Sequence, residues 1–235
     1  VLGVSTVLPF DSGFNRPPLP RNVAFVMRGG EPLDARGEDG RLELEPLGLR
    51  ARNLELVAPP EPLDAGSVLS VDGESFVVGE VLDERAPDAP VLMDGAMRAH
   101  DGETGCATDS CGDFATVSFA LSPPSDNHSP PGNLVYAIYF GRDPAGARSA
   151  SEPVALVPRD GGEIFSFVDF GWGEGDVYAT VTALDMAGNE SERSAVMKVY
   201  DEGGPCAVAG SRGGLSTLGW VMLALLLIAR RRRTR

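Results

Sequence analysis

Hydrophobic positions recur in short runs along the first 200 residues, either alternating with polar ones or rich in β-branched and aromatic side chains. Val23 to Met27, Leu42 to Leu44, Leu54 to Val57, Val68 to Val71 and Phe76 to Leu82 form a first series, divided by clusters of Gly, Pro, Asp and Asn. Alternation with period two predicts strands with one buried face, and the Gly/Pro punctuation predicts the turns between them. A second series follows at Phe114 to Leu121, Leu134 to Phe140, Val154 to Val157, Ile164 to Phe170, Val177 to Leu184 and Ala195 to Tyr200. No window before the C-terminal tail has the spacing of a long amphipathic helix. Between the two series, Asp83 to Pro90 carries two prolines and four charges and predicts a domain boundary. The pattern therefore predicts an all-β chain: two β-sandwich domains in tandem, over 9–85 and 112–201, with a linker at 86–111.

After residue 201 the pattern changes. A small-residue spacer, 202–214, contains Cys206; an apolar run without charge, 215–229, follows; and the chain ends in 230–235 with Arg230, Arg231, Arg232 and Arg233. As a helix the run would be about 22 Å long, against a hydrocarbon core of about 30 Å. It predicts a short transmembrane helix with a basic stop. The positive-inside rule keeps the arginines cytoplasmic and puts everything before residue 210 across the membrane. At the other end, Val1-Leu2-Gly3-Val4 shows neither Met nor a basic n-region. An upstream signal is expected to have been removed or lost, and residues 1–8 read as its remnant or as a first strand.

Charge changes the picture of partners. Six of the 20 Lys and Arg lie beyond residue 210 and no acid does, which leaves 14 against 34 Asp and Glu in the body, a net of −20. Nucleic acid needs clustered Lys and Arg, and the one such cluster is the membrane stop, so nucleic acid is excluded as a partner.

The order Cys206, Gly/Ala/Ser-rich spacer, Leu/Ala-rich helix and terminal arginines resembles the MYXO-CTERM sorting signal of myxobacterial surface proteins. That resemblance implies a sorting protease acting at the tail, Cys206 as processing and lipid-attachment site, and release of the body onto the outer surface of the cell envelope. An ordinary single-pass anchor with an incidental cysteine is the alternative. Val177-Tyr178-Ala179-Thr180-Val181-Thr182-Ala183-Leu184-Asp185-Met186-Ala187-Gly188-Asn189-Glu190-Ser191 is similar to the F strand and F–G turn of bacterial fibronectin type III domains. Val177, Ala179, Val181 and Ala183 would then face the core, and Gly188-Asn189 would make the turn. Arg16-Pro17-Pro18-Leu19-Pro20-Arg21-Asn22 and Pro62-Leu63-Asp64-Ala65-Gly66-Ser67, each ahead of a strand, resemble segments of the bacterial Ig-like domains of surface proteins.

Cys106 and Cys111 could close a six-residue disulfide loop, worth about 2 kcal/mol on chain entropy. A metal pair is the rival reading, with His100 and Asp109 as the only further ligands nearby. Cys206 stays unpaired in either case, which suits a processing role. Asp126, His128 and Ser129 can be drawn as a hydrolytic trio, but they lie on one turn with no oxyanion hole evident, and solvated loop polarity is the better account. No catalytic motif is present. Acidic turns at Arg36 to Gly40, at Asp83-Glu84 with Asp88, and at Asp185 with Asn189 and Glu190 offer oxygens to calcium, or are solvated hairpin tips. Phe165, Phe167, Phe170 and Trp172 offer a stacking platform for a glycan or protein partner, or belong to a core. The expected function is non-catalytic: a structural, adhesive or partner-binding envelope protein needing no cofactor. The competing class is an accessory carbohydrate- or calcium-binding module for a separate enzyme.

Overall fold

The alternation resolves into strands in a computed structural model, which describes residues 6–7, 17–28, 33–51, 54–100, 114–158, 163–169 and 175–201. The N-terminal part gives β1 (Thr6–Val7), β2 (Phe25–Arg28), β3 (Ala35–Gly37), β4 (Gly40–Arg41), β5 (Glu45–Ala51), β6 (Leu54–Ala58), β7 (Val68–Val71) and β8 (Glu74–Val77). They form two four-stranded sheets, ordered β1-β2-β6-β5 and β4-β3-β7-β8. Phe25 and Val57 from the first sheet meet Ala35, Leu69, Val71 and Phe76 from the second in one buried core. In β5, Gly48 has φ +84° and the register with β6 shifts between Pro46 and Arg50. That irregularity is why this strand carries no clean alternation.

The C-terminal part contains β9 (Val91–His100), β10 (Phe114–Ser122), β11 (Val135–Gly141), a helix α1 (Pro144–Ser149), β12 (Ala155–Pro158), β13 (Glu163–Asp169), β14 (Val177–Leu184) and β15 (Met197–Asp201). All but one of the pairings are antiparallel; β15 and β9 run parallel and join the strands in the order β12-β11-β14-β15-β9-β10-β13. This long sheet folds over a shared core. Met97, Val117, Phe119 and Leu121 from β9 and β10 pack with Tyr136, Ile138 and Phe140 of β11, and with Val177, Ala179, Val181 and Ala183 of β14. The four β14 residues are those whose period-two spacing marked them as core. Strand β9, by contrast, lies inside the 86–111 interval that reads as a linker. Its Asp94-Gly95 pair breaks the hydrophobic pattern, yet the glycine belongs to the packing: an added Cβ would lie 2.9 Å from the Phe119 ring.

The two sandwiches are layered face to face. Every residue of β11 is buried, and its alternate positions serve two cores. Tyr136, Ile138 and Phe140 point inward, while Val135, Ala137 and Tyr139 pack with Leu156 and Leu184 against Ala24, Val26, Ala51, Leu56 and Ala58 of the N-terminal sandwich. Likewise β2 sends Phe25 to its own core and Val26, together with Ala24 just ahead of the strand, to the shared layer. Because the seven-stranded sheet folds over, the stack is four layers deep, and β11 and β14, in a middle layer, are buried along nearly their whole length. Continuous apolar runs such as Val135-Tyr136-Ala137-Ile138-Tyr139-Phe140 are the sequence mark of a strand buried on both sides. All described residues fall in the unit Val1–Asp201.

The described residues contain no helix long and apolar enough to cross a membrane. The expected span 215–229, Arg230 to Arg233, Cys206, the pair Cys106 and Cys111, and Trp172 lie outside the described residues.

Candidate metal centre

Three aspartates far apart in sequence meet where the sandwiches join. Asp83 follows β8 on the way to β9, Asp126 lies in the loop after β10, and Asp185 directly follows β14. One carboxylate oxygen of each lies within 4.8 Å of one from each of the others, with Asp83 and Asp185 buried and Asp126 half-buried.

Local hydrogen bonds fix each carboxylate. At Asp185 the chain turns through Met186, Ala187 and Gly188: Oδ1 accepts the N–H of Ala187 at 2.8 Å and of Asn189 at 2.9 Å, and Oδ2 accepts Nδ2 of Asn189 at 2.8 Å. Gly188 is required, since its φ is +82° and an added Cβ would sit 2.9 Å from Ala24 Cβ. At Asp126, Oδ2 accepts the N–H of His128 at 2.9 Å and of Ser129 at 2.5 Å. Asp83 is held through its backbone. Its N–H donates to Asn22 Oδ1 at 2.9 Å, and its carbonyl accepts Nδ2 of Asn22 at 2.6 Å and of Asn189 at 2.9 Å. Its Oδ1 accepts the Arg85 N–H at 3.3 Å and Asn127 Nδ2 at 3.5 Å. After these bonds, Asp83 Oδ2 and Asp126 Oδ1 are buried without a partner.

The crowding shows in Asp185, whose carboxyl is pushed up to about 6, chiefly by burial and in part by the charge of Asp83, against the lowering hydrogen bonds from Asn189 and Ala187. Among the described residues no Lys or Arg pairs with any of the three; ion pairs there include Arg36 with Asp34, Arg50 with Glu55 and Lys198 with Asp176. A cleft of about 180 Å³ beside Asp126 is lined also by Arg85, Ala86, Asp88, Ser125 and Asn127.

The sequence placed these aspartates in three separate turns. The structure unites Asp83, Asp126 and Asp185 and gives their neighbours other duties. Asn189 braces the site as a donor. Glu190 Oε1 accepts the hydroxyls of Tyr139 and Thr182, both at 2.7 Å, and Arg193 stacks 3.8 Å over the Tyr139 ring. Within the drawn trio, Ser129 Oγ accepts the Met186 N–H at 3.0 Å and Asp126 binds backbone N–H groups, while His128 is exposed. The turn Arg36 to Gly40 is a hairpin tip between β3 and β4, where Arg36 pairs with Asp34.

Burial, followed by the Glu190 hydrogen bond, pushes the Tyr139 phenol up to about 12. A free tyrosine titrates near 10, so this contribution to stability is complete below pH 10 and is lost as pH rises through 12. Rapid-mixing alkaline titration at 295 nm is expected to show one of the four tyrosines ionising near pH 12. Tyr139→Phe should remove that late step; a titration unchanged in the variant would refute the assignment.

No protein-family model matches the chain, and no curated protein does. Among solved structures, it is similar to a β-1,2-glucanase from Parabacteroides distasonis at 18% identity and TM-score 0.37, over 82% of this chain and 29% of that one. It also aligns with tandem Ig repeats of Dlar at 12% identity and TM-score 0.22, covering 79% of this chain and 92% of the other. A cytokine receptor complex aligns at 15% identity and TM-score 0.24, over 80% and 96%. These likenesses are too distant to define a class, and the chain spans less than a third of the glucanase.

Proposed function

We propose that this chain is a non-catalytic envelope protein whose body, an Ig-like and a fibronectin-III-like sandwich, is a stiff module for structural, adhesive or partner-binding work. The observation that carries this reading is β11, buried on both faces, because a strand shared between two cores leaves no room for the sandwiches to pivot. Support for the fibronectin-III-like assignment comes from the strand order: β9-β10-β13 facing β12-β11-β14-β15 is a three-on-four arrangement. In this reading the body is exported and the tail sorts it. Residues 215–229 hold it in the membrane, Arg230 to Arg233 stop transfer, and a protease processes the chain at Cys206, where lipid is attached. Cys106 and Cys111 form a disulfide in the oxidising compartment outside.

Intact mass and fractionation from the native host test this. The expected wild-type species lacks the helix and arginines, carries lipid on Cys206 and is on the outer surface; Cys206→Ala stays unprocessed. A full-length tail indifferent to the substitution would sink the sorting reading. The second reading, an accessory module for a separate enzyme, is favoured on its calcium side by the three clustered aspartates, two of them buried.

A further inference from the structure

We propose that Asp83, Asp126 and Asp185 bind one calcium ion that clamps the junction of the two sandwiches. This goes beyond the envelope reading and does not rest on it, since it concerns only the body of the chain.

Three observations converge. The donors are all carboxylate oxygens, the hard ligands of calcium, without the histidine or thiolate that zinc or copper would take. Calcium binds oxygens at about 2.3–2.6 Å, so two oxygens on one ion lie at most about 5 Å apart, and the three carboxylate oxygens, all within 4.8 Å of one another, meet that limit. Second, Asp83 is only 1% exposed and its Oδ2 has no partner, as is true of Asp126 Oδ1. A buried carboxylate oxygen without donor or counter-charge is strongly disfavoured unless a cation joins it. The remaining carboxylate oxygens are already held by N–H groups, so the orphaned pair is what the local hydrogen bonding leaves for an ion. Third, a cleft lined by Arg85, Asp88, Ser125, Asp126 and Asn127 reaches one of the three ligands, Asp126, from the solvent side, where water can supply part of the six to eight oxygens that calcium takes.

The ligands come from three segments: the exit from the N-terminal sandwich, the loop after β10 and the turn after β14. An ion there ties both sandwiches at the point where the chain crosses between them. Asn22 and Asn189 already bridge the same gap by gripping the Asp83 carbonyl.

The test uses the full chain, stripped with EDTA and titrated at neutral pH with calcium chloride, and separately with magnesium chloride. Isothermal titration is expected to give one site per chain with Kd in the range of extracellular modules, about 10⁻⁴–10⁻³ M. At 100 times Kd the folded-to-unfolded ratio should rise about 100-fold, and the melting temperature with it. Asp126→Asn, on the half-buried ligand, should abolish the calcium-dependent shift and melt no lower than wild type in EDTA, because it relieves repulsion. Asp39→Asn, in the exposed β3–β4 hairpin, should keep the full shift. If Asp83→Asn fails to fold, Asp126→Asn still decides. No heat and no shift at about ten times the upper end of that range, a shift retained in Asp126→Asn, or an equal response to magnesium would each overturn the proposal. The mass measurement on the tail is unaffected by any of these results.

Discussion

Gly141→Ala is expected to lower the stability of the C-terminal sandwich by about 3 kcal/mol or more, at or above the usual range for overpacking. Gly141 ends β11 where α1 crosses it, and a Cβ there would meet Ala147 N at 2.1 Å, Gly146 C at 2.5 Å and Ala147 Cα at 2.9 Å. These are backbone atoms and cannot swing aside. Nor can the helix retreat. Thr180 Oγ1 donates to Ala147 O at 3.1 Å, Arg193 Nη1 donates to the carbonyls of Ala147 and Arg148 at 3.0 and 2.7 Å, and Arg193 Nη2 donates to Ala150 O. The guanidinium thus satisfies carbonyls that the end of a helix leaves open. Gly146→Ala in the same helix makes the contrast. Its Cβ would find only Asp143 Oδ1 at 3.5 Å as nearest neighbour, so helix propensity should dominate and raise stability by up to about 1 kcal/mol. Chemical denaturation of both variants checks the pair; a Gly141→Ala midpoint equal to wild type would show that β11 and α1 separate freely.

How much of this was legible follows from what each residue's neighbours are. The β class and the core face of β14 were, because period-two alternation depends only on nearby positions. Strand β9 was not: Asp94 and Gly95 look like a turn until Phe119 is known to lie against the glycine. The face-to-face layering was half visible in the unbroken apolar run of β11, which reads as burial on both sides but does not say by what. At the site, each aspartate was visible within its own turn and the cluster was not, since 102 residues separate Asp83 from Asp185. Strand order would have revealed it. Ser122 pairs with Val91, so the end of β10 and the start of β9 share one edge of the sandwich. Val135 pairs with Leu184, so the turn after β14 lies beside the start of β11, where the loop from β10 arrives. With the strands assigned, Asp83, Asp126 and Asp185 fall at one pole by topology alone; the orphaned oxygens required the side chains.

Met186→Ala is expected to cost about 3 kcal/mol, the middle of the range for truncating a buried Leu, Ile or Met. It is further expected to loosen the sandwich that Met186 does not belong to. Met186 sits in the turn after β14, yet it is 1% exposed and packed in the N-terminal core with residues such as Leu19, Val23 and Phe25. Its backbone is held as firmly: the Ala24 N–H donates to its carbonyl at 2.8 Å, its own N–H donates to Ser129 Oγ at 3.0 Å, and Asn133 Nδ2 lies 3.4 Å from its sulfur. A side chain from one sandwich plugging the core of the other couples the two, and truncating it is expected to uncouple them. Removing it should leave a cavity in the N-terminal core while sparing the core around Ile138 and Val181. Hydrogen exchange separates the two consequences, because the amides of Phe25 and Val57 should lose protection in Met186→Ala far more than those of Ile138 and Val181. Met186→Leu keeps the volume and should stay within about 1.5 kcal/mol of wild type. An effect of Met186→Ala no larger than a surface substitution, about 0.5 kcal/mol, would mean that the sandwiches hold their cores independently. Because Met186 adjoins Asp185, the same plug that welds the cores also fixes one of the three carboxylates, so stiffness and the geometry offered to a cation have one structural origin.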